Sequence, residues 1–404
     1  MWISPLDALY AVLHAGYDNV VLLYSGLKTG YSGRYSYLAF SSDKEIKGND
    51  ISLLDKCYYE SELPRWFGTI HYETLGENVT SRSSTISTPA IYFCHYHYVI
   101  QFDHEQHILS GDYHALPPIF TKTDISYPDV STCHALMDKQ SYIDNVKDAL
   151  HHIHAGNVYQ VNLTRKYIGM FESAISAIDA YFMYYTLCEI SPAPYSSFLW
   201  RERQAVLSSS PELFIQVDKD GIITSRPIKG TASRKHDARA LQRSVKDRAE
   251  NLMIVDLMRN DLARCAQPGS VDVTKLFEVD SFSTLHHLSS SITAQLQSNI
   301  TLSDILRATF PPGSMTGAPK YSAMEWIAEK EKVQRGIYSG AIGWINGTQC
   351  DLSVVIRTLI AQGKIFEFQV GGGIVADSDP ENEYQEILTK SKALATMLRI
   401  NMPQ

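Results

Sequence analysis

Ser225-Arg226-Pro227-Ile228-Lys229-Gly230-Thr231-Ala232-Ser233-Arg234 is the stretch around which this chain is organised. It follows an alternating apolar segment, Leu213 to Ile223, that reads as two short strands joined at Asp220-Gly221. Lys229 should therefore sit where a strand leaves the sheet. Pro227 fixes the approach, and Gly230 lets a ligand come close to the backbone. Arg226 and Arg234 are expected to crowd Lys229 with positive charge. An amine that is crowded by cations and shielded from water loses its proton more easily, and only the neutral amine attacks carbon. The same ten residues also fit a solvated basic turn.

Bulk properties narrow the choice. At 404 residues the chain suits two or three domains at about 150 residues each, or one large α+β unit. Hydrophobic residues make up 44% and charged residues 20%, an ordinary globular balance. A net charge of −8 argues against nucleic acid or an anionic membrane as a partner. Six widely spaced cysteines without a Cys-x-x-Cys read as reduced thiols. The N-terminus lacks a basic region followed by an apolar run, and no segment approaches the roughly 20 apolar residues of a membrane span. These features place the chain in the cytoplasm.

Working outward, residues 66–111 are strand-like, with a hairpin expected from Ala90 to Phe102 and back through His107-Ile108-Leu109. His95 and His97 share a strand face but have no third ligand nearby, so they read as structural. Ala115 to Ser131, rich in Pro, Ser and Thr, is the best internal linker. A helix is expected from Lys139 to Ala155, stopped by Gly156, with His151, His152 and His154 in its last turn. The strand Val158 to Arg165 carries Gln160, Asn162 and Thr164 on one face, which either meets solvent or lines a pocket. Another helix spans 174–190. Glu212, beside Leu213 and Phe214, is a candidate general acid because an apolar setting raises a carboxyl pKa.

Carboxylates recur at helical spacing. One long helical tract, Ala238 to Ala263, carries Lys246 and places Asp247 and Glu250 on one side. A second helix, capped by Asp377-Ser378-Asp379-Pro380, places Glu383, Glu386 and Lys390 on one face, just after Gly371-Gly372-Gly373. Hard oxygen donors without thiols suit Mg²⁺, which keeps several waters and uses few carboxylates to hold an anionic substrate. Pro311 to Lys320 is not a Walker A loop, since Ala318-Pro319-Lys320 replaces the Gly-Lys-Ser/Thr ending. It reads better as a loop offering backbone N–H groups to a carboxylate. Tyr338 to Gly343 and Asp351 to Thr358 read as paired strands, so Arg357 would lie in an apolar run and want a carboxylate partner.

Taken together, Tyr159 to Arg165, Ser210-Pro211-Glu212, Pro227 to Thr231, Asp247 to Asp261, His286-His287-Leu288, Pro312 to Lys320, Tyr338-Ser339-Gly340, Ile356-Arg357-Thr358 and Gly371 to Lys390 resemble the chorismate-utilising enzymes. The likeness runs from about Trp66 to Leu398. It implies an α+β fold of two packed, mostly antiparallel sheets flanked by helices, with 1–125 as an N-terminal β-rich region and 126–404 as the catalytic region. Where most members carry Pro-x-Ala-Gly-Thr, this chain has Lys229, which resembles aminodeoxychorismate synthase component I. Where the isochorismate and salicylate synthases carry a water-activating lysine, this chain has Gln160, which fits ammonia as nucleophile.

By the same resemblance, Lys229 and Glu212 are catalytic, and Thr231, His287, Tyr338, Arg357, Lys390 and the backbone of Gly371, Gly372 and Gly373 bind chorismate. Glu250 and Glu386 would hold Mg²⁺, supported by Asp247 and Glu383. No Gly-x-Cys-x-Gly elbow is present, so the resemblance implies a separate glutamine amidotransferase subunit as the ammonia source, in a heterodimer. No tail remains for a fused lyase. Anthranilate synthase component I and a non-catalytic chorismate-binding subunit are the rivals. Tryptophan-inhibited members carry Leu-Leu-Glu-Ser near the N-terminus, whereas this chain has Leu22-Leu23-Tyr24-Ser25. Millimolar tryptophan should therefore leave most of the activity intact in a steady-state assay; complete inhibition would contradict the reading.

Overall fold

A computed structural model describes residues 2–27, 33–75, 85–118, 127–234, 237–281 and 285–403. The middle of the expected Ala115–Ser131 linker lies outside them, as does the side chain of Thr231. Alternating apolar residues form long antiparallel strands that pair into one continuous series and not two separate sheets. One run pairs Val20–Tyr24, Tyr195–Arg201, Gln204–Ser210, Thr358–Gln362, Ile365–Ile374 and Gln160–Phe171. The other runs through Tyr35–Gly48, Ile91–Asp103, Trp66–Ile70, Ala341–Asn346, Gln349–Val354, Leu213–Val217, Ile222–Arg226 and Leu285–Gln295. Val20–Tyr24 joins them by pairing with Tyr35–Gly48.

The two runs pack face to face. Val21, Leu199, Val206 and Ile360 of the first meet Ala39, Phe67, Tyr96 and Ile342 of the second in a core between the layers. Helices Lys139–His154, Ala177–Ile190 and Pro380–Leu398 cover the outer face of the first run, and Val245–Ala263 and Leu302–Thr309 that of the second. This is the expected α+β architecture. No helix among the described residues is long and apolar enough to cross a membrane.

Three local expectations need correction. The tract Ala238–Ala263 is two helices, Ala238–Arg243 and Val245–Ala263, because extended Ser244 caps the second and its hydroxyl accepts from Asp247 N. Asp351 to Thr358 is not one strand: pairing stops at Val354, and Arg357 sits before Thr358 at φ 51°. Lys229 does not leave the sheet; it lies in a further strand, Ile228–Ser233, which Pro227 separates from Ile222–Arg226. If the Ser244 hydroxyl holds the start of the carboxylate-bearing helix, Ser244→Ala should lower the unfolding free energy from denaturant titration by about 1 kcal/mol and Ser244→Asp should not.

Candidate active site

Lys229 is aimed by a fault in its strand. Pairing with Leu285–Gln295 slips between Ile228 and Thr231, and Gly230 takes φ 81°, as a β-bulge requires. A Cβ on Gly230 would fall 2.8 Å from Asp247 Oδ1, so the helix Val245–Ala263 crosses directly over the bulge. On the opposite side, a Cβ on Gly373 would stand 3.0 Å from Gln160 Nε2 and 3.7 Å from Lys229 Nζ. The tight neighbour is the Gln160 amide, which a side chain at 373 would crowd, whereas the amine stands at ordinary contact distance.

Burial pushes the Lys229 pKa down, and Lys390 adds to this, while Glu212, Glu250 and Glu386 oppose it. The expected crowding by arginines is not the cause. Arg226 turns away into ion pairs with Glu278 (2.6 Å) and Asp280 (3.0 Å), and exposed Arg234 stands 3.5 Å from His286. The lowered affinity for a proton survives, on desolvation in place of like charge.

The other candidates converge from separate elements. Glu212 is buried, which raises its pKa; Ser314, Lys229 and the Ile228 N–H partly offset that. Arg357, in the left-handed region, has Glu212 as the opposing charge, and a non-glycine residue held there is a strain tolerated where position matters. His287 pairs in register with Thr231; burial and Arg357 lower its pKa to about 3, so the ring is neutral. Tyr338 is buried and its hydroxyl stays protonated because burial raises its pKa. The face carrying Gln160, Asn162 and Thr164 is wholly buried, and both amide atoms of Gln160 lack a protein partner. That strand face lines the interior, the alternative the sequence left open.

The carboxylates face one another from two helices. Burial raises Glu250 and Glu383, and Glu383 accepts from Ser378 Oγ at 2.6 Å. Burial would also raise Glu386, but Lys390, 2.7 Å away, brings it below the usual carboxylate range. Lys390 also donates to Gly371 O at 3.0 Å, and a Cβ on Gly372 would lie 3.2 Å from Glu383 Oε2. Among the described residues no three metal-capable side chains stand together. Glu250, Glu383 and Glu386 offer oxygen donors alone, the chemistry that a hard cation such as Mg²⁺ prefers, with water and substrate completing its shell.

The sequence reading missed a buried hub. Arg335 donates to Glu331 (2.6 and 2.9 Å), Met315 O (2.6 Å) and Asn162 O (2.7 Å), and Glu331 accepts from the Thr164 hydroxyl. It ties the loop 311–320, the Gln160 strand and the turn bearing Tyr338 together. The spacing of Glu331 and Arg335, i and i+4, was the available signal. Lys320, the end of the loop, is also structural: its buried ammonium pairs with Asp261 (2.6 Å) and two carbonyls.

A separate cavity of about 340 Å³ includes Leu23, Tyr24, Ser25, Tyr195, Trp344 and Asp351 in its lining, and none of the candidates above. Burial raises Asp351 to about 6, with Gln216 opposing. The folded state thus holds this proton more tightly than the unfolded chain, so stability falls as pH rises from about 4 to 6 by roughly 2–3 kcal/mol. Asp351→Asn should raise the denaturation midpoint at pH 8 and give no gain at pH 4.

The aminodeoxychorismate synthase component 1 of Escherichia coli is 45% identical over 271 residues, 65% of this chain and 58% of that protein. The chain spans about half the length of the curated aminodeoxychorismate synthases it matches. Anthranilate synthase component 1 of Saccharolobus solfataricus is 33% identical over 92% of this chain and 91% of its own length. The crystal structure of anthranilate synthase component I from Streptococcus pneumoniae superposes with a TM-score of 0.78 at 29% identity, covering 92% of this chain and 94% of that one. Residues 31–396 match the family described as chorismate binding enzyme, and the chain belongs to that family.

Proposed function

We propose that the chain acts as an aminodeoxychorismate synthase component I, converting chorismate and ammonia to 4-amino-4-deoxychorismate and water. The observation that carries this is Lys229, a shielded amine of lowered pKa beside Gln160 and Glu212. The names of the 40–45% identical relatives point the same way. Lys229 Nζ bonds to C2 of the ring as the C4–O bond breaks, and Glu212, which holds a proton more tightly because it is buried, gives that proton to the departing hydroxyl. Ammonia then bonds to C4 and the C2–N bond breaks, returning the Lys229 electron pair; the proton lost from the new ammonium restores Glu212. The enolpyruvyl group stays in place.

Glu250 and Glu386, with Asp247 and Glu383, would hold Mg²⁺, which neutralises a substrate carboxylate when bound. Arg357, Tyr338, Lys390 and the backbone at Gly371–Gly373 orient the dianion, and neutral His287 lines the ring. Thr231, opposite His287, completes the substrate set. Ammonia would come from a glutamine amidotransferase subunit.

Anthranilate synthesis is the second reading, favoured by the relative that matches 92% of the chain. It differs in placing nitrogen at C2 and releasing pyruvate. Incubation with chorismate, Mg²⁺ and ammonium, followed by mass spectrometry, should give 4-amino-4-deoxychorismate without pyruvate. Lys229→Ala should abolish or divert amination while the circular dichroism spectrum is unchanged. Full rate and the same product from that variant would remove the covalent step.

A further inference from the structure

We propose that Lys246 is a resident counter-ion of the carboxylates between the helices Val245–Ala263 and Pro380–Leu398, one that a divalent cation must displace, so that this lysine sets how tightly the cation binds. The inference rests on the metal reading above and adds a residue to it. Lys246 lies one turn before Glu250, with Nζ 3.9 Å from Glu250 Oε1. An ordinary i, i+4 pair acts within its own helix. Here the ammonium also acts on Glu383 and Glu386 of the facing helix, so one lysine serves carboxylates on both sides.

Among the described residues, other charges facing this space include Asp247, Lys229 and Lys390, with Glu212 beyond Lys229. Lys390 is fixed by two contacts, to Glu386 and to Gly371 O. Among the described residues Lys246 has only the long contact to Glu250, and its side chain is 53% exposed. Its flexible stem can carry the ammonium into water as a dication arrives, whereas Lys390 must give up a backbone bond to move. Until Lys246 leaves, its charge repels the incoming cation and partly satisfies the carboxylates.

The test is Mg²⁺ titration of the full chain without substrate, by calorimetry and by thermal midpoint against MgCl₂. Lys246→Met is compared with the parent and with Lys275→Met, which removes a lysine of similar exposure paired with Glu278. Lys246→Met should bind Mg²⁺ at least fivefold tighter and melt lower without Mg²⁺, while Lys275→Met stays within twofold of the parent. Saturable binding that is equal or weaker in Lys246→Met overturns the role of Lys246 and leaves the metal reading standing. No Mg²⁺ binding by any of the three proteins removes the metal reading and this inference together.

Discussion

The withdrawal of the Lys229 amine from water is the constraint on which the rest of the structure depends. A lysine prefers its charged form in solvent, and surrounding it with protein atoms reverses that preference only if nearby carboxylates do not restore it. Glu212, Glu250 and Glu386 all pull toward protonation. The fold offsets them by burying Glu212 and Glu250 as well, which raises their own pKa values and weakens their negative charge. Amine and acids are thus tuned by one shared desolvation.

That tuning explains the expense of the scaffold. The bulge at Gly230, the left-handed Arg357 and the Gly371–Gly373 run each give up regular pairing or side-chain packing. Their combined effect is to turn a strand, a loop and two helices toward one amine, whose charge partners are Glu212, Glu250, Glu386 and Lys390. The Arg335–Glu331 pair holds the arrangement from behind. Removing one member of such a buried pair costs about 3–5 kcal/mol, since the other is left charged and unpartnered. Two layers of antiparallel strands with an apolar core between them supply the rigidity.

For the proposed dianionic substrate, an acidic protein must concentrate positive charge locally. Lys390 and Arg357 supply such charge from two elements distant in the chain, with Glu386 and Glu212 as their respective carboxylate neighbours. The overall charge of −8 is therefore no guide to the sign of the site.

Local sequence determined the elements and the identity of the chemical groups. Period-two alternation marked the strands at Leu213, Ile222 and Trp66, and the carboxylate spacing on the helices at Asp247 and Glu383 put each pair on one side before any packing was known. Capping chemistry placed the helix starts, although the break at Ser244 was hidden inside a continuous helical pattern. Only the tertiary structure decided what surrounds each group. Arg226 lies three residues from Lys229 yet points to Glu278 and Asp280, while Gln160 and Gly373, far away in sequence, stand beside the amine. A pKa is set by neighbours in space and by exclusion of water, and neither is written in the order of residues along the chain.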